Sequence, residues 1–445
     1  MRKQLLAATI AAALAPGAAL ATDGYFSHGY GMKAKGRGGA STAMATDAFG
    51  GAVNPATMVY AGSRTELGVD VFQPDRSASR VGSAGGTGFL DGAADGNEAG
   101  AFLIPEFAYN RMIRPDVSLG VTVYGNGGMN TEYASGQLDQ GVCMGGAPTG
   151  VPANLLCGSG KLGVDLMQLI IAPTVARKFT NGHALGISPL VAYQRFKAYG
   201  LQPFAQISSD PANLSNNGYD DSWGVGLRFG YYAELTPAVA IGAAYSTKIA
   251  MSEFDKYRGL FAEQGDFDIP ENYSVGVAFK VSPKLTLAGD YQRINYSKIA
   301  SVGNPSNQPN CTPNPPFGPG AGADCLGASG SSIGFGWDDV NVFKIGLEYQ
   351  WSPKLLLRAG YNATDNPIQA RDVTFNILAP GVVTDHLTLG FTYTMAGGSE
   401  LTMAYMHAFK ESVSGPASNP YFPVGGTETI EMSQNSLGIA WSWKY

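Results

Sequence analysis

The sequence predicts an all-β protein: a transmembrane antiparallel β-barrel of about fourteen strands with an N-terminal hatch in its lumen. Three observations predict it. Residues 24–56 follow no secondary-structure period, the part of the 445-residue chain after them alternates with period two, and the connections between predicted strands alternate in length. The predicted organisation is a signal peptide over residues 1–21, a hatch over residues 22–60 and a barrel over residues 61–445.

The N-terminus has the pattern of a cleavable leader. Arg2 and Lys3 precede an apolar run over residues 5–21, which ends in the small-x-small sequence Ala19-Leu20-Ala21 that signal peptidases recognise. A single-pass anchor is the alternative, but the run is short, rich in alanine and followed by Thr-Asp-Gly rather than basic residues. We therefore expect an exported chain that begins at Thr22.

The composition restricts the class of protein. Without the leader, 27 basic and 35 acidic residues give a formal charge of −8, which argues against nucleic acid as a partner. The 60 glycines, 14% charged residues and mean hydropathy of −0.03 suit strands with one apolar and one small or polar face. After the leader no run of 18 apolar residues occurs, so transmembrane helices are excluded. An exported chain in lipid then needs a closed barrel, because every backbone polar group must be paired without water.

The clearest predicted strand covers residues 221–235. Its outer face carries Trp223, Val225, Leu227, Phe229 and Tyr231, and its inner face carries Ser222, Gly224, Gly226, Arg228 and Gly230. A soluble sandwich strand would instead carry charges on its solvent face. The same alternation recurs in residues 65–71, 117–123, 185–193, 239–245, 273–279, 343–351 and 387–393. This recurrence, rather than any single strand, indicates a barrel.

The connections give the strand count. Short turns with proline or glycine are predicted at residues 114–116, 180–183, 236–238, 282–284, 352–354 and 396–398. Six short turns and seven longer loops make fourteen strands, to within two. The last segment places Leu437, Ile439, Trp441, Trp443 and Tyr445 on one face and is predicted to close the barrel within an aromatic girdle. A buried edge strand of a soluble protein is the alternative, but it would leave two Trp and a Tyr at an unprotected chain end.

Four cysteines fall into two pairs, each fourteen residues apart in a Gly/Pro-rich loop. The pairs are Cys143 with Cys157 and Cys311 with Cys325. A metal site would need shorter spacings and histidine partners, so we expect two local disulfides and neither a metal nor a cofactor. Each disulfide would close a ring of about 15 residues and stiffen an outer loop.

Two other outer loops are apolar. Phe254, Tyr257, Leu260 and Phe261 recur at helical spacing and predict a short helix with one apolar stripe, and the preceding outer loop carries Leu201, Phe204 and Ile207. Packing of the loops onto the barrel mouth would account for them. The alternative is an exposed apolar surface on which a hydrophobic ligand first lands.

No enzyme motif is present. The four histidines, His28, His183, His386 and His407, lie in neither a Gly-x-Ser-x-Gly nor a His-Glu-x-x-His context, so no catalytic residue is predicted. An outer-membrane hydrolase whose triad assembles only in space stays open as an alternative.

Several short motifs occur in a specific order. They include Gly29-Tyr30-Gly31, Asn54-Pro55-Ala56, Tyr124-Gly125-Asn126-Gly127-Gly128, Ile269-Pro270-Glu271, Leu357-Arg358-Ala359-Gly360-Tyr361 and Asp365-Asn366-Pro367-Ile368. In these motifs and their order, over essentially the whole mature chain, the sequence resembles the FadL/TodX family of outer-membrane transporters for long-chain fatty acids and hydrocarbons. The resemblance implies a fourteen-stranded barrel in the outer membrane of a Gram-negative bacterium and passive, ligand-specific uptake of a hydrophobic compound.

The resemblance also implies a route for the ligand. Capture falls to the third and fourth outer loops, at Leu201, Phe204, Phe254, Tyr257, Leu260 and Phe261. A pocket lined by the hatch follows at Thr22, Tyr25 and Phe26, and a lateral gate at an inward kink of the third strand, at Gly125, Asn126, Gly127 and Gly128. Asn54, Pro55 and Ala56 are expected to pin the hatch to the first strand, with a plain turn as the alternative.

The charged residues leave the ligand class open. Arg228 and Arg358 face inward by parity, and each either binds a ligand carboxylate or forms an ion pair within the barrel. Lys33, Lys35 and Arg37 of the hatch are expected to meet acidic groups of the lumen. Membrane lipid and lipopolysaccharide are the other expected partners, and a monomer is expected. A structural or adhesion barrel and a general porin are the rival functions.

Overall fold

Fourteen antiparallel strands form one closed sheet. The computed structural model describes residues 23–307, 310–314, 318–419 and 422–445, so the predicted signal peptide and Thr22 lie outside the described residues. The strands are β1 (Arg64–Val81), β2 (Phe102–Arg114), β3 (Val117–Tyr133), β4 (Leu162–Lys178), β5 (His183–Tyr199), β6 (Asp220–Thr236), β7 (Val239–Ser246), β8 (Asn272–Ser282), β9 (Leu285–Ile294), β10 (Val340–Ser352), β11 (Leu355–Thr364), β12 (Asp385–Thr394), β13 (Glu400–Asn419) and β14 (Phe422–Lys444). Pairing of β1 with β14 closes the barrel, which confirms the predicted fold.

The alternation in sequence becomes the two faces of the wall. On β6, Trp223, Val225 and Phe229 are exposed to the outside, whereas Ser222 and Arg228 between them are buried in the lumen. Glycine, serine and threonine on the inner face leave space for the hatch, and the aliphatic and aromatic outer face suits lipid. Within the described chain, no helix has the length and apolar character needed to span a bilayer.

The six short turns lie where the sequence predicts them, between β2 and β3, β4 and β5, β6 and β7, β8 and β9, β10 and β11, and β12 and β13. At the other end are loop 1 (82–101), loop 2 (134–161), loop 3 (200–219), loop 4 (247–271), loop 5 (295–339) and loop 6 (365–384). The prediction of a seventh longer loop is wrong. There β13 and β14 stay paired as far as Asn419 and Phe422, because the buried side chains of Ile430 and Met432 continue the inner face beyond the short strands.

Short elements occupy the N-terminal region and the loops. Helical turns cover Met32–Lys35, Met58–Ala61, Ser83–Gly86, Gln140–Cys143, Ala262–Gly265, Ala300–Gly303 and Val373–Asn376, and 3₁₀ turns cover Phe49–Ala52, Pro55–Thr57, Gln202–Ile207, Pro211–Asn213, Asp255–Tyr257, Tyr296–Lys298 and Ala370–Asp372. Four two- to four-residue strands, Gly92–Asp95, Leu138–Asp139, Pro152–Ala153 and Ala250–Met251, complete the loops. The single short helix predicted in loop 4 is wrong, because only a 3₁₀ turn over Asp255–Tyr257 forms there and the backbone is extended at both Phe254 and Phe261. The predicted disulfides, Cys143–Cys157 and Cys311–Cys325, are confirmed.

The N-terminal segment, residues 23–63, fills the lumen, and we call it the hatch. Wall glycines let its backbone touch the sheet directly. A side chain added at Gly360 would place Cβ 2.1 Å from the Arg37 carbonyl carbon, and one added at Gly242 would place Cβ 2.0 Å from the Thr42 carbonyl oxygen. Any larger residue at these two positions would therefore push the hatch away from the wall.

Candidate transport site

Three buried ion pairs join the hatch to the wall. Lys33 contacts Glu400 at 2.7 Å, Lys35 contacts Asp70 at 2.6 Å and Arg37 contacts Glu348 at 2.7 Å, which confirms the predicted acidic partners. Both members of each pair are buried, so removing one of them leaves an uncompensated charge. The three pairs therefore fix one position of the hatch with high specificity.

Arg358 belongs to the same network. Its Nε lies 2.7 Å from the Glu348 carboxylate, so Glu348 serves two guanidinium groups at once. Of the two roles open to Arg358 from the sequence, the structure shows the ion pair.

Arg228 is held differently. It donates hydrogen bonds to the Gly51 carbonyl at 2.7 Å, the Tyr124 hydroxyl at 2.9 Å and the Ser246 hydroxyl at 2.6 Å. No ion pair joins it to any described carboxylate. Together with Lys344 it lines a small pocket between hatch and wall that also includes Phe26, Tyr30 and Asp290. Arg228 is thus a buried cation whose partners are all neutral.

The Asn54-Pro55-Ala56 segment anchors the hatch. The Asn54 amide donates to the carbonyls of Thr42 and Tyr231, both at 2.8 Å, and its Oδ1 accepts from the Ala56 N–H at 3.1 Å. Tyr231 belongs to β6, so the expectation of a pin to the first strand is wrong. The reason is steric: Gly230 of β6 leaves the space, since a Cβ there would lie 2.1 Å from the Asn54 Oδ1.

The wall has a gap between β2 and β3. These strands pair only from Phe107 with Val123 to Arg114 with Val117. Beyond that point, residues 102–105 of β2 continue to pair with β1, and residues 124–133 of β3 continue to pair with β4. The β3–β4 ladder also shifts register between Gly125 and Gly127. The four residues predicted as a gate therefore lie at the edge of this gap, where glycine accommodates a bulge.

The start of the hatch fills the gap from inside. The Ser27 N–H donates to the Asn126 carbonyl at 3.0 Å, and the Gly128 N–H donates to the Tyr25 carbonyl at 3.1 Å. A Cβ at Gly127 would lie 1.8 Å from the Tyr25 carbonyl oxygen. The structure thus brings the predicted pocket residues Tyr25 and Phe26 against the predicted gate residues. Thr22 lies outside the described residues.

Tyr296, which the sequence analysis missed, holds this segment in place. Its hydroxyl accepts from the N–H groups of Tyr25 at 3.1 Å and Phe26 at 3.3 Å, and donates to the Asp23 carbonyl at 2.5 Å. Lys344 adds an ion pair to Asp23 at 3.2 Å. No local pattern marks Tyr296, because all of its partners lie about 270 residues away in the chain.

A series of aromatic rings leads from loop 4 to the gap. The ring centroids of Phe261 and Phe267 are 4.8 Å apart, those of Phe267 and Tyr25 are 6.2 Å apart, and those of Tyr25 and Phe26 are 5.4 Å apart. Phe26 then forms a β-bridge with Gly127. We call these four rings, Phe261, Phe267, Tyr25 and Phe26, the aromatic path.

A second branch joins the path from loops 3 and 6. Phe204 contacts Phe375 at 5.9 Å, Phe375 contacts Phe335 at 4.9 Å, and Phe335 contacts Trp337 at 6.4 Å. Trp337 lies 5.9 Å from Tyr25. Sequence reasoning missed loop 6, because its apolar run at residues 373–383 has no strand period; all of these residues are buried in the structure. Both apolar loops therefore converge on Tyr25.

The six predicted capture residues are all buried. Leu201, Phe204, Phe254, Tyr257, Leu260 and Phe261 are at most 3% exposed. Phe196 on the inner face of β5 contacts Tyr257 at 4.8 Å and Phe261 at 4.7 Å. Of the two accounts that the sequence left open, this structure shows packing of the loops and not an exposed apolar surface, since the loop side chains pack on one another and on the wall. Among the described residues, no group of three His, Cys, Asp or Glu side chains is arranged to hold a metal ion.

The comparisons with known proteins decide the family. The profile of the family described as "Outer membrane protein transport protein (OMPP1/FadL/TodX)" matches residues 8–443. The chain belongs to this family. No curated protein matches it in sequence.

Solved structures of OMPP1/FadL/TodX barrels share the fold at low identity. The Pseudomonas putida toluene transporter TodX is 18% identical, with a TM-score of 0.67 over 95% of this chain and 100% of that chain. The Ralstonia pickettii toluene transporter TbuX is also 18% identical, with a TM-score of 0.63 over 94% and 99%. A Pseudomonas aeruginosa FadL homologue is 14% identical, with a TM-score of 0.67 over 95% and 99%. The protein is thus an outer-membrane transport barrel of the FadL/TodX family, which is a family of transporters and not of enzymes.

Proposed function

We propose that this barrel takes up a hydrophobic compound passively, by capture at loops 3 and 4, passage along the aromatic path and lateral release through the gap between β2 and β3. One observation carries the proposal: the aromatic path begins among the capture residues at Phe261 and ends at Phe26, which is paired with Gly127 at the gap. A ligand that moves from ring to ring stays out of water over this whole distance.

The energetics favour such a route for an apolar ligand. Burial of each methylene stabilises a bound molecule by about 0.8 kcal/mol, so an aqueous pore offers it nothing to bind. Aromatic rings offer large apolar faces, and pairs of them contribute roughly 0.5–1.5 kcal/mol. A hydrophobic molecule can replace these ring contacts without exposing a polar group. Release through the side of the wall then delivers it to lipid.

The resting contacts define what has to move. Loops 3 and 4 are closed over the path, so capture requires the ligand to displace side chains such as Phe254 and Phe261 from one another. Release requires residues 25–27 to give up the two backbone hydrogen bonds to Asn126 and Gly128. Both steps exchange weak, local contacts, whereas the hatch ion pairs stay in place.

The rival functions fit less well. A general porin needs an open polar lumen, but here the hatch fills the lumen and is joined to the wall by buried ion pairs. An adhesion barrel would account for the disulfide-closed loops and not for an aromatic path that reaches the wall. A large steady ion current in planar bilayers would favour the porin.

For the ligand class we favour an uncharged hydrocarbon. The four side chains of the path are aromatic, and the relatives named for a substrate include two toluene transporters and CymD, a monoaromatic hydrocarbon channel. Arg228 supports the second candidate, a fatty acid, because its neutral partners leave its charge available to a carboxylate. Competition of labelled toluene uptake by a long-chain fatty acid in wild type and in Arg228→Gln separates the two. Competition that is lost in the variant would favour the fatty acid.

A bulky side chain at position 127 tests the proposed lateral gate. We expect Gly127→Trp to fill the gap and reduce uptake of labelled toluene at least tenfold in cells that depend on this protein. Gly289→Ala is the matched wall control, since the nearest atom to its added Cβ lies 3.8 Å away. Unchanged uptake in a folded Gly127→Trp barrel would reject lateral release.

A further inference from the structure

Three amide side chains form a hydrogen-bonded row across the inner face of the wall, beside the gate. The Asn126 Nδ2 donates to the Gln168 Oε1 at 3.0 Å, and the Gln168 Nε2 donates to the Gln194 Oε1 at 3.1 Å. The Gln194 Nε2 in turn donates to the backbone carbonyl of Phe267 in loop 4 at 2.9 Å. We call Asn126, Gln168 and Gln194 the amide row. Each of the three is at most 1% exposed, and together they join β3 to loop 4 across β4 and β5.

The strand register places the three residues side by side. Gln168 of β4 lies directly opposite Gln194 of β5. On β3, Asn126 lies at the register shift between Gly125 and Gly127, and Gly127 is the residue opposite Gln168. The bulge therefore adds Asn126 to a row that would otherwise end at a glycine.

The row has one direction. A carbonyl oxygen accepts hydrogen bonds and cannot donate, so the Gln194 side chain must turn its Nε2 toward Phe267 and its Oε1 toward Gln168. Gln168 and Asn126 are oriented in the same way, and aligned hydrogen bonds of this kind strengthen one another. The Ser222 hydroxyl is a second acceptor for the Gln194 Nε2, but at 3.4 Å. The orientation of the whole row thus depends on the Phe267 carbonyl.

The two ends of the row belong to the two parts of the proposed route. Phe267 is the second ring of the aromatic path and packs against Phe261 at 4.8 Å. At the other end, the Asn126 carbonyl accepts from the Ser27 N–H at 3.0 Å and from the Tyr30 hydroxyl at 3.1 Å. Loop 4 and the start of the hatch are therefore connected through three buried amides.

We propose that Gln168 and Gln194 are positioning residues that couple the opening of loop 4 to the opening of the lateral gate. With loop 4 closed, the row is complete and holds Asn126 at the bulge. When the Phe267 carbonyl moves away, a buried amide loses its acceptor, and the cost is relieved if the row rearranges and releases Asn126. Residues 25–28 are then free to leave the gap. This inference rests on the proposed transport route, because it concerns the same gate.

Another hydrogen bond between the same two strands provides a matched control. Thr174 of β4 and Ser188 of β5 are buried, and their hydroxyl groups lie 2.7 Å apart. The Thr174 hydroxyl also donates to the Ala172 carbonyl, so these contacts stay within the wall. Thr174→Val therefore removes a buried side-chain hydrogen bond between β4 and β5 and leaves the amide row intact.

The test is a double-mutant cycle without ligand, in the purified, folded, full-length barrel in detergent. Phe261→Ala loosens loop 4 at a residue outside the row, and Gln194→Met keeps the side-chain length and removes the amide. Hydrogen–deuterium exchange is measured at Ser27 and Gly128, whose N–H groups bond across the gap. We expect each variant alone to raise this exchange about tenfold, and the double variant to exceed the faster single variant by less than about twofold.

The control and a second variant keep the test decisive. In the Thr174→Val background, Phe261→Ala should still raise the exchange about tenfold. Gln168→Met interrupts the row one step nearer the gate and should give the same non-additivity with Phe261→Ala, so the test does not depend on the folding of Gln194→Met alone.

Two results would overturn the coupling. Additive effects of Phe261→Ala and Gln194→Met, about a hundredfold in the double variant, would make the row a purely structural part of the wall. Unchanged exchange at Ser27 and Gly128 in Phe261→Ala would show that loop 4 does not act on the gate. No ligand enters the cycle, so its outcome is separate from that of the transport proposal, which absent uptake of toluene by the wild type would refute.

Discussion

The hatch and the outer loops both fill the barrel, but polar contacts hold the hatch in place and apolar contacts hold the loops. The hatch is joined to the wall by charges and backbone hydrogen bonds, as at Lys35 with Asp70 and at Asn54 with Tyr231. Loops 3 and 4 are held by rings and aliphatic side chains, as at Phe261 against Phe196. An apolar ligand competes for the second kind of contact and not for the first. The difference indicates which part yields during transport: the loops and the Tyr25 segment, with the body of the hatch fixed.

The largest effect is expected where one acid serves two cations. Glu348→Gln removes the partner of both Arg37 and Arg358, and we expect it to destabilise hatch docking by about 3–5 kcal/mol, since two buried charges lose their counter-ion. Hydrogen exchange over residues 32–42 should rise, and planar-bilayer current should increase.

The exposed Asp116 gives the matched control for that change. Asp116→Asn breaks the surface pair with Arg114 and should change stability by about 1 kcal/mol or less. If exchange over residues 32–42 were equal in Glu348→Gln and Asp116→Asn, the ion pairs would not be what fixes the hatch.

Removal of an aromatic side chain from loop 4 should loosen the packing of the outer loops and leave the docking of the hatch unchanged. Phe261→Ala empties a site between Phe254, Phe267 and Phe196, and we expect a loss of about 3–4 kcal/mol in loop packing. Exchange over residues 254–268 should rise and toluene uptake should fall, with exchange over residues 32–42 unchanged. Phe279→Ala, on the lipid-facing surface, is the control. A rise in hatch exchange in Phe261→Ala would show that the two regions are coupled.

Tyr296 lies where the two regions meet, so its loss should affect the start of the hatch alone. Tyr296→Phe keeps the ring and removes the hydroxyl that accepts from Tyr25 and Phe26. We expect a cost of about 1–3 kcal/mol for releasing residues 23–27 and faster uptake through the gap. Unaltered exchange over residues 23–27 would mean that the hydrogen bonds to β3 hold this segment without Tyr296.

The sequence was sufficient for the parts of the fold that depend on local pattern. Period-two strands such as residues 221–235, proline turns such as residues 282–284, and both disulfides follow from neighbours in the chain. The Gly125–Gly128 kink came from the family resemblance, and the structure has a bulge there. Tyr296, loop 6 and the β2–β3 gap depend on contacts between distant segments, which no local pattern records. The anchoring of Asn54 to β6 was missed for the same reason.

The smallest predicted effect is a pH dependence of opposite sign in the two regions. Burial, with the neighbouring His386, Lys35 and Lys344, holds the pKa of the His28 imidazole well below 6.5. The docked hatch therefore takes up fewer protons than the undocked one, and its stability is present above pH 6.5 and falls as the pH drops below that value, by at most about 1.4 kcal/mol per pH unit.

In loop 4, burial and the neighbouring Asp268 raise the pKa of the Asp266 carboxyl to about 7. The closed loop retains a proton that the open loop releases, so its stability is greatest at low pH and is lost as the pH rises from about 4 to 7. Acidification from pH 7.5 to 5.5 should thus increase exchange over residues 23–35 and decrease it over residues 254–268, after correction for intrinsic rates. His28→Gln should abolish the first change and Asp266→Asn the second. The same sign of change in both regions would show that one of these assignments is wrong, because the two groups titrate in opposite directions on opening.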